Sequence, residues 1–243
     1  MNTQYGLCYR DLYNKHWWWR ARERFILSTL ESIGLWSRKR HSILDVGCGD
    51  GLFFNRLNRF GDVEGIEADA TLISEDNPWK SKIYVGAFDS TFQPGKKYSL
   101  ILMLDVLEHF ADPLPALNRA LDLMEPGGLL LITVPAFQCL WTAHDDLNHH
   151  FTRYTKRSLL ELISKTRIRI QSCRYFFHWT FPVKLLVHIK ERLLPAKPDI
   201  PKIPNLWLNR AMLQVSCLEQ RLLYKINVPF GSSLMAVARR CHA

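Results

Sequence analysis

The chain has 243 residues and a mass of 28.4 kDa, which suits one well-buried domain and is short for two. Its hydrophobic fraction of 47% and charged fraction of 23% exclude wholesale disorder and fibrous folds. No apolar run reaches the roughly 18 residues of a membrane-spanning helix. We find no secretory signal at the start and no C-x-x-C pair among six cysteines, so we expect a cytoplasmic protein without disulfides.

The net charge of +9 is unevenly distributed along the chain. Residues 1–40 carry a net +5, residues 41–150 a net −9, and residues 151–243 a net +13. This asymmetry predicts a catalytic body with basic flanks that contact something anionic: a phosphate-bearing substrate, a membrane surface or RNA. A basic face that only aids solubility is the alternative.

Hydrophobic periodicity predicts an α/β fold. The first predicted element is an amphipathic helix over residues 17–33. Strands are then predicted at 43–46, 63–67, 83–85, 99–104 and 129–134, with helical spacing at 52–60 and 113–124. Such alternation is typical of right-handed βαβ units. We therefore predict a Rossmann-like, doubly wound sheet of seven mostly parallel strands, with an N-terminal helix and a helical insertion near the C-terminus.

The last third of the chain departs from this rhythm. Its predicted elements are a helix from a Thr155 cap to Ser164, a strand near 168–170, a proline-rich linker at 195–204, a helix at 205–226 and a strand at 233–238. We expect one domain over 1–243. Its parts are a helical cap (1–40), a cofactor-binding core (41–175), a helical substrate-side insertion (176–230) and a final strand (231–243).

The sharpest signal is the run I-L-D-V-G-C-G-D-G at residues 43–51. A strand here ends in glycines that open a helix, which places bare backbone at the carboxyl edge of the sheet, where ligands bind. Leu52 stands where a dinucleotide-binding G-x-G-x-x-G motif has its last glycine. Glu67 follows Gly47 by 20 residues, at the end of the second strand, where a carboxylate can accept ribose hydroxyls.

Together these residues resemble motifs I and II of class I S-adenosylmethionine-dependent methyltransferases. The resemblance implies S-adenosyl-L-methionine as the cofactor. Residues 102–113 are similar to a fourth motif of the group that includes the ubiquinone-pathway O-methyltransferases, and residues 85–89 stand where the family contacts adenine, although Ala87 departs from its pattern. The implied cofactor contacts are Asp45, Gly47, Cys48, Gly49, Gly51, Glu67, Asp89, Leu104 and Asp105.

The segment H-D-D-L-N-H-H-F-T-R-Y-T at 144–155 follows the fifth strand and resembles a bacterial subgroup of this family whose members serve glycan or lipid-linked pathways. We expect His109 or His150 to take a proton from the acceptor and Asp145 to orient a histidine. The expected acceptor-binding residues are His144, Arg153 and Tyr154, with Arg153 forking onto a phosphate or carboxylate. The spacing of the histidines and aspartates fits no known metal motif, so no metal site is predicted.

We therefore expect methyl transfer to an oxygen or nitrogen of a small molecule, anionic or lipid-linked. An RNA or DNA methyltransferase is an alternative, but residues 104–107 lack the Asn/Asp-Pro-Pro-aromatic motif of base-amine methylation, and we expect no nucleic-acid partner. A membrane-peripheral protein at the inner membrane face is another, because residues 17–24 combine tryptophans with arginines and residues 176–190 combine aromatics with lysines. The alternative interpretation of these aromatic residues is that they pack over the cofactor pocket as a lid and do not contact lipid. The oligomeric state is not predicted.

Overall fold

The computed structural model describes residues 3–34, 40–194 and 200–241. The strands are β1 (His41–Val46), β2 (Gly61–Glu67), β3 (Ile83–Val85), β4 (Tyr98–Leu104), β5 (Met124–Pro135), β6 (Ile168–Phe176) and β7 (Ser233–Arg240). The α-helices are α1 (Thr3–Lys15), α2 (Trp17–Ser32), α3 (Phe54–Leu57), α4 (Leu114–Leu123), α5 (Ala143–Leu147), α6 (Lys156–Ser164), α7 (Thr180–Leu193) and α8 (Leu206–Leu223).

The seven strands form one sheet in the order β3-β2-β1-β4-β5-β7-β6. The first five are parallel, and β7 runs antiparallel between β5 and β6. This confirms the predicted doubly wound, mostly parallel sheet. The strand order reverses between β1 and β4, and the carboxyl ends of those two strands flank the crevice where such sheets bind ligands.

Helices cover both faces of the sheet, which explains why the central strands are continuous apolar runs. Side chains alternate between two cores: Leu100 and Leu102 of β4 face one, and Ile101 and Met103 face the other. Helices α2, α3 and α8 contribute to the first core, and α4 and α6 to the second. The result is a three-layer arrangement that leaves the carboxyl edge of the parallel strands open for function.

Two helices on the N-terminal side differ from the prediction. Helix α1 was not predicted, because its residues are polar on average; among its described side chains, Leu12 is buried. The helix expected at 52–60 is shortened to α3, since the chain must turn after Leu57 to begin β2 at Gly61. The proline-rich segment lies partly outside the described residues, which resume at residue 200.

Helices α7 and α8 lie between β6 and β7, as the predicted insertion requires. Helix α8 packs against α2, and buried Asn209 joins the two by accepting the Trp17 backbone N–H (2.8 Å) and donating to the Lys15 carbonyl (2.7 Å). None of the helices in the described part of the chain is both long enough and apolar enough to span a membrane.

Candidate active site

The glycine-rich loop after β1 is held in a conformation that favours glycine. Gly47 and Gly49 have φ angles of 68° and 53°, and the Gly47 N–H donates to the Ile66 carbonyl at 2.8 Å. A Cβ on Gly47 would lie 2.9 Å from Val106 Cγ2, whereas a Cβ on Gly49 would meet no atom within 4 Å. Gly49 therefore presents bare backbone to open space.

Glu67 fixes this loop against the end of β2. One of its carboxylate oxygens accepts the Gly49 N–H at 2.8 Å, and the other accepts the Asp69 N–H at 2.9 Å. The side chain is buried, so its orientation is set by these bonds. Each oxygen retains a lone pair for a ligand hydroxyl, which is the role expected of a ribose-binding carboxylate.

A cleft of about 450 Å³, counting its open mouth, lies beside the loop. One wall comes from α1 and α2, and the other from the carboxyl ends of β1 and β4. The lining residues are Tyr9, Tyr13, Trp19, Arg22, Glu23, Ile26, Asp45, Gly47, Cys48, Leu52, Phe53 and Leu104. Four predicted cofactor residues are among them: Asp45, Gly47, Cys48 and Leu104.

Asp45 is a buried carboxyl group that faces this cleft. Within residues 3–34, 40–194 and 200–241, no group hydrogen-bonds its side chain. Burial raises the pKa of Asp45 to about 7, although the nearby Arg22 opposes the shift. A cationic ligand group in the cleft would favour the ionised form and supply the missing partner.

Asp105 follows β4 and has a left-handed backbone, with φ of 58°. Its carboxylate forms a 2.6 Å ion pair with buried Arg22 of α2 and accepts a bond from Thr133 Oγ1 at 3.2 Å. Asp105 thus joins the N-terminal helices to the sheet edge beside the cofactor loop. This contact supports the cleft wall. It also occupies part of the Asp105 carboxylate, which the resemblance predicted to contact the cofactor.

Asp145 is the hub of the loop that follows β5. Its fully buried carboxylate contacts His150 Nδ1 at 2.9 Å and receives two bonds of 2.9 Å from the Arg153 guanidinium. Burial opposes ionisation of Asp145, but the bonds from His150 and Arg153 outweigh it and hold its pKa well below the usual range. The structure therefore places Asp145 where it orients a histidine.

Arg153 and Tyr154, both predicted to bind the acceptor, make their polar contacts within the protein. Arg153 is buried, and its remaining donor group bonds the Ala136 carbonyl at 3.1 Å. Buried Tyr154 donates its hydroxyl to the Leu107 carbonyl at 3.2 Å. A buried guanidinium must be paired, and Asp145 is the partner that the sequence motif did not reveal. Both residues brace the loop rather than face an acceptor. Thr155 caps α6, as expected.

The contacts of this loop also bring the side chains of Glu108, His109 and His150 close together. The Phe151 N–H donates to the Glu108 carbonyl at 2.7 Å, so the loop lies against the turn that carries Glu108 and His109. The His109 and His150 rings meet edge to face with centroids 4.8 Å apart. Glu108 is fully buried, and burial raises its pKa well above the usual value. Sequence reasoning missed Glu108, although a carboxylate within an apolar run was a signal.

Three further predicted residues make other contacts. Asp89 is exposed, and its carboxylate accepts bonds from Thr91. Gly51 is buried, and a Cβ there would lie 3.2 Å from Phe54, so this glycine serves packing. His144 lies near Asn148, with 3.2 Å between the His144 Nε2 and Asn148 Nδ2 atoms.

The aromatic segment of α2 faces inward. Trp17 and Trp19 are buried, Trp19 lines the cleft, and Trp18 stacks on Phe177 with ring centroids 5.8 Å apart. This arrangement favours the lid interpretation over lipid contact for residues 17–24. Sequence reasoning missed Arg22, yet its position three residues before Phe25 on the apolar stripe indicated a buried, paired arginine.

Residues 18–178 match a family model described as a methyltransferase domain. The chain belongs to this methyltransferase family. It has the fold and motifs of the class I S-adenosylmethionine-dependent methyltransferases. The site residues fit that cofactor, since Gly49 of the glycine loop offers bare backbone, Glu67 at the end of β2 offers carboxylate lone pairs, and Asp45 in the cleft has no hydrogen-bond partner in the described structure.

Curated relatives match the methyltransferase over part of its length. Ubiquinone biosynthesis O-methyltransferase from Cereibacter sphaeroides is 32% identical over 97 residues, which are 37% of this chain and 39% of that protein. The corresponding enzyme from Ruegeria pomeroyi is 33% identical over 98 residues, covering 36% and 38%. The match thus spans about two fifths of these relatives.

Solved structures share the fold at low sequence identity. The plantazolicin methyltransferase BpumL, solved with a pentazolic desmethylPZN analog and SAH, superposes with a TM-score of 0.58 at 16% identity, covering 91% of this chain and 86% of that one. A SAM-dependent methyltransferase from Archaeoglobus fulgidus gives a TM-score of 0.54 at 14% identity, covering 89% and 94%.

The buried Arg153–Asp145 pair predicts a stability effect that its exposed neighbour does not share. Arg153→Ala leaves the Asp145 carboxylate buried without its bidentate partner, so we expect a loss of about 3–5 kcal/mol in the free energy of unfolding. Urea unfolding measures it. Arg157→Ala removes an exposed pair with Glu161 and should leave the unfolding midpoint nearly unchanged. Equal effects of the two substitutions would contradict the bracing role of Arg153.

Proposed function

We propose that this chain transfers the methyl group of S-adenosylmethionine to a hydroxyl oxygen of a small-molecule acceptor. The observation that carries the proposal is the placement, along one sheet edge, of a cofactor-type cleft and an imidazole pair oriented by a buried carboxylate. The curated relatives, which are O-methyltransferases, support oxygen as the acceptor atom.

On the cofactor side, each proposed contact follows from the cleft. Gly47 and Gly49 let the ligand lie against backbone, and Glu67 accepts the ribose hydroxyls. Asp45 receives the cationic amino-acid end of the ligand, because the carboxylate is buried and otherwise unpartnered in the described structure. S-adenosylmethionine, when bound, supplies a methyl group made electrophilic by its sulfonium. The protein contributes alignment and exclusion of water.

On the acceptor side, His109 and His150 lie where a hydroxyl must lose its proton. Asp145 engages His150 through Nδ1, so Nε2 is left to face the acceptor. His109 is exposed and contacts the ring of His150, which places the pair at the surface of the site. Removal of a hydroxyl proton by a positioned base contributes about 10²–10⁴-fold to the rate. Asp145 acts here as a positioning residue.

Lys184 replaces Arg153 as the cation proposed to face an anionic acceptor group. It lies on the face of α7 that also carries His188 and Glu191, which bond the Trp141 carbonyl (2.5 Å) and the Ala143 N–H (2.8 Å) of the loop after β5. Burial and the charge of Arg153 lower the pKa of Lys184 to about 8. Its ammonium is therefore close to the Asp145 hub and available to a phosphate or carboxylate.

We further propose that the acceptor is lipid-linked and that α7 and α8 rest on an anionic membrane surface. These helices expose large apolar side chains: Val183, Leu186, Val187, Ile189, Leu193, Leu206, Trp207, Val215, Leu218 and Leu222. Exposed cations lie on the same two helices: Lys190, Arg192, Arg210 and Arg221. This combination of apolar face and positive charge is typical of helices that lie in the interface of anionic lipid.

The ribose-binding role of Glu67 predicts a selective loss of cofactor affinity. Glu67→Gln removes the charge that strengthens hydrogen bonds to a ligand hydroxyl, so the affinity for S-adenosylhomocysteine should fall roughly 10–100-fold. Isothermal titration calorimetry measures this. Glu64→Gln is the matched control, because Glu64 lies on the same strand but contacts Lys96 and Tyr98. Unchanged binding by Glu67→Gln would overturn the assignment of the cleft.

The raised pKa of Asp45 predicts pH-dependent cofactor binding. Only the ionised carboxylate pairs with the ammonium group of S-adenosylhomocysteine, and its population grows as pH rises through about 7. The affinity should therefore increase roughly tenfold between pH 6 and pH 8. Asp45→Asn should bind weakly with a flat profile, while Asp89→Asn, at an exposed site, should keep the wild-type slope. A flat wild-type profile would contradict the role of Asp45.

The apolar face predicts lipid-selective membrane binding. The wild-type chain should sediment with phosphatidylglycerol vesicles and remain in solution with phosphatidylcholine vesicles. Leu186→Ser/Leu193→Ser removes apolar surface from α7 and should lower the partition coefficient roughly tenfold or more. Val85→Ser changes an equally exposed residue at the β3 edge and should have no effect. If vesicle binding depends neither on lipid charge nor on the α7 substitutions, the proposed membrane-binding surface is ruled out.

A further inference from the structure

We propose that Asn209 of α8 is a positioning residue for the cofactor, because it fixes the hinge on which α1 closes against the cleft. Helix α1 ends at Lys15 and α2 begins at Trp17, so a single residue, His16, separates the two helices. The Asn209 side chain holds the backbone on both sides of that residue. This inference rests on the proposed function, since it concerns how the cleft retains S-adenosylmethionine and its product.

Helix α1 forms part of the cleft wall but has little apolar packing of its own. Tyr9 and Tyr13 line the cleft. Among residues 8–15, Leu12 is the buried side chain, and it belongs to a small cluster with Trp19 that is distinct from the two main cores. Polar contacts therefore carry much of the attachment of α1.

The hinge between α1 and α2 is one residue long. The backbone of His16 is extended, with φ of −76° and ψ of 135°, and its Nδ1 accepts the Trp18 N–H at 3.1 Å. Burial lowers the pKa of His16 to about 4, so the ring is neutral near pH 7 and can keep accepting this bond. Rotation about the backbone of His16 changes the angle between the two helices.

Asn209 satisfies the two backbone groups that this break leaves open. The Trp17 N–H lies in the first turn of α2 and the Lys15 carbonyl in the last turn of α1, where helices lack internal partners. Buried Asn209 accepts from the first at 2.8 Å and donates to the second at 2.7 Å. A carboxamide offers both an acceptor and a donor, which a carboxylate of the same size does not. Movement of α1 away from the cleft must therefore break the Asn209 contacts.

The other polar attachment of α1 is at the cofactor loop. Arg10 Nε donates to the Asp50 carboxylate at 3.0 Å. Asp50 is buried and also accepts the Ser74 N–H at 3.0 Å and the Asn77 side-chain N–H at 2.8 Å. The Arg10 side chain is 42% exposed, so water weakens its ion pair. The buried bonds at the hinge are the better protected of the two attachments.

The hinge contact joins two helices outside the matched methyltransferase domain. That match covers residues 18–178, whereas α1 precedes it and α8 follows it. The α7–α8 insertion, which the sequence assigns to the acceptor side, therefore also supports the cofactor cleft. Asn209 gives the insertion this second role.

The test is the dissociation rate of S-adenosylhomocysteine from the immobilised full chain, measured by surface plasmon resonance. Asn209→Ala removes both hinge bonds, so the rate should rise roughly tenfold or more. Asn209→Asp keeps an acceptor for the Trp17 N–H but has no donor for Lys15, and should also raise the rate. Gln220→Ala is the matched control and should not: Gln220 lies on α8 and donates to a carbonyl of α2, that of Ala21 at 3.3 Å, away from the hinge.

Amide hydrogen exchange separates this positioning role from a general loss of stability. In Asn209→Ala, residues 8–15 should exchange faster while β1 and β4 keep their wild-type rates. If the alanine variant does not fold, Asn209→Asp takes its place in every comparison.

Three results would overturn the role of Asn209. They are ligand release from Asn209→Ala at the wild-type rate, equally fast release from Gln220→Ala, and faster exchange in the sheet as well as in α1. Wild-type protein that binds no S-adenosylhomocysteine would instead refute the proposed function. The exchange of residues 8–15 would then decide the hinge by itself, and equal rates in the wild type and the variant would refute it.

Discussion

The cofactor side of this protein depends on one constraint: backbone N–H groups of the glycine loop must be satisfied while the loop stays open to a ligand. Glu67 meets it by accepting the Gly49 N–H from the end of β2, and β2 contributes the Ile66 carbonyl to Gly47. The sheet alone could not hold a left-handed turn in place. The Glu67 carboxylate, on the neighbouring strand, fixes the conformation of the glycine loop by accepting one of its N–H groups.

A second buried carboxylate plays the same part on the acceptor side. Asp145 carries two partners whose requirements differ: Arg153 needs charge neutralisation, and His150 needs a fixed ring orientation. Desolvation of all three groups is tolerable only because the bidentate pair satisfies the carboxylate and the guanidinium together. The loop after β5 is therefore held by this ion-pair network together with the apolar packing of Ala136, Leu140 and Tyr154, and changes at Arg153 act on His150 through Asp145.

The sequence predicts the parallel sheet well, because continuous apolar runs and glycine turns are local signals that tertiary packing leaves intact in β1, β4 and β5. It predicts Glu67 because its spacing from the loop is fixed by one βαβ unit. Side-chain pairing is not local. Nothing in the order of residues shows that Arg153 meets Asp145, that Arg22 meets Asp105, or that Glu108 is left without a partner. The sequence shows these residues, but it does not show which side chains contact one another.

Helix α7 connects the two halves of the functional interpretation. Its inner face carries His188 and Glu191, which bond the loop that positions Asp145. Its outer face exposes Leu186 and Leu193. Helix α7 therefore links the loop that carries Asp145 to an exposed apolar surface on the opposite side of the same helix. Because α7 and α8 enter between β6 and β7, this arrangement leaves the parallel strands of the sheet uninterrupted.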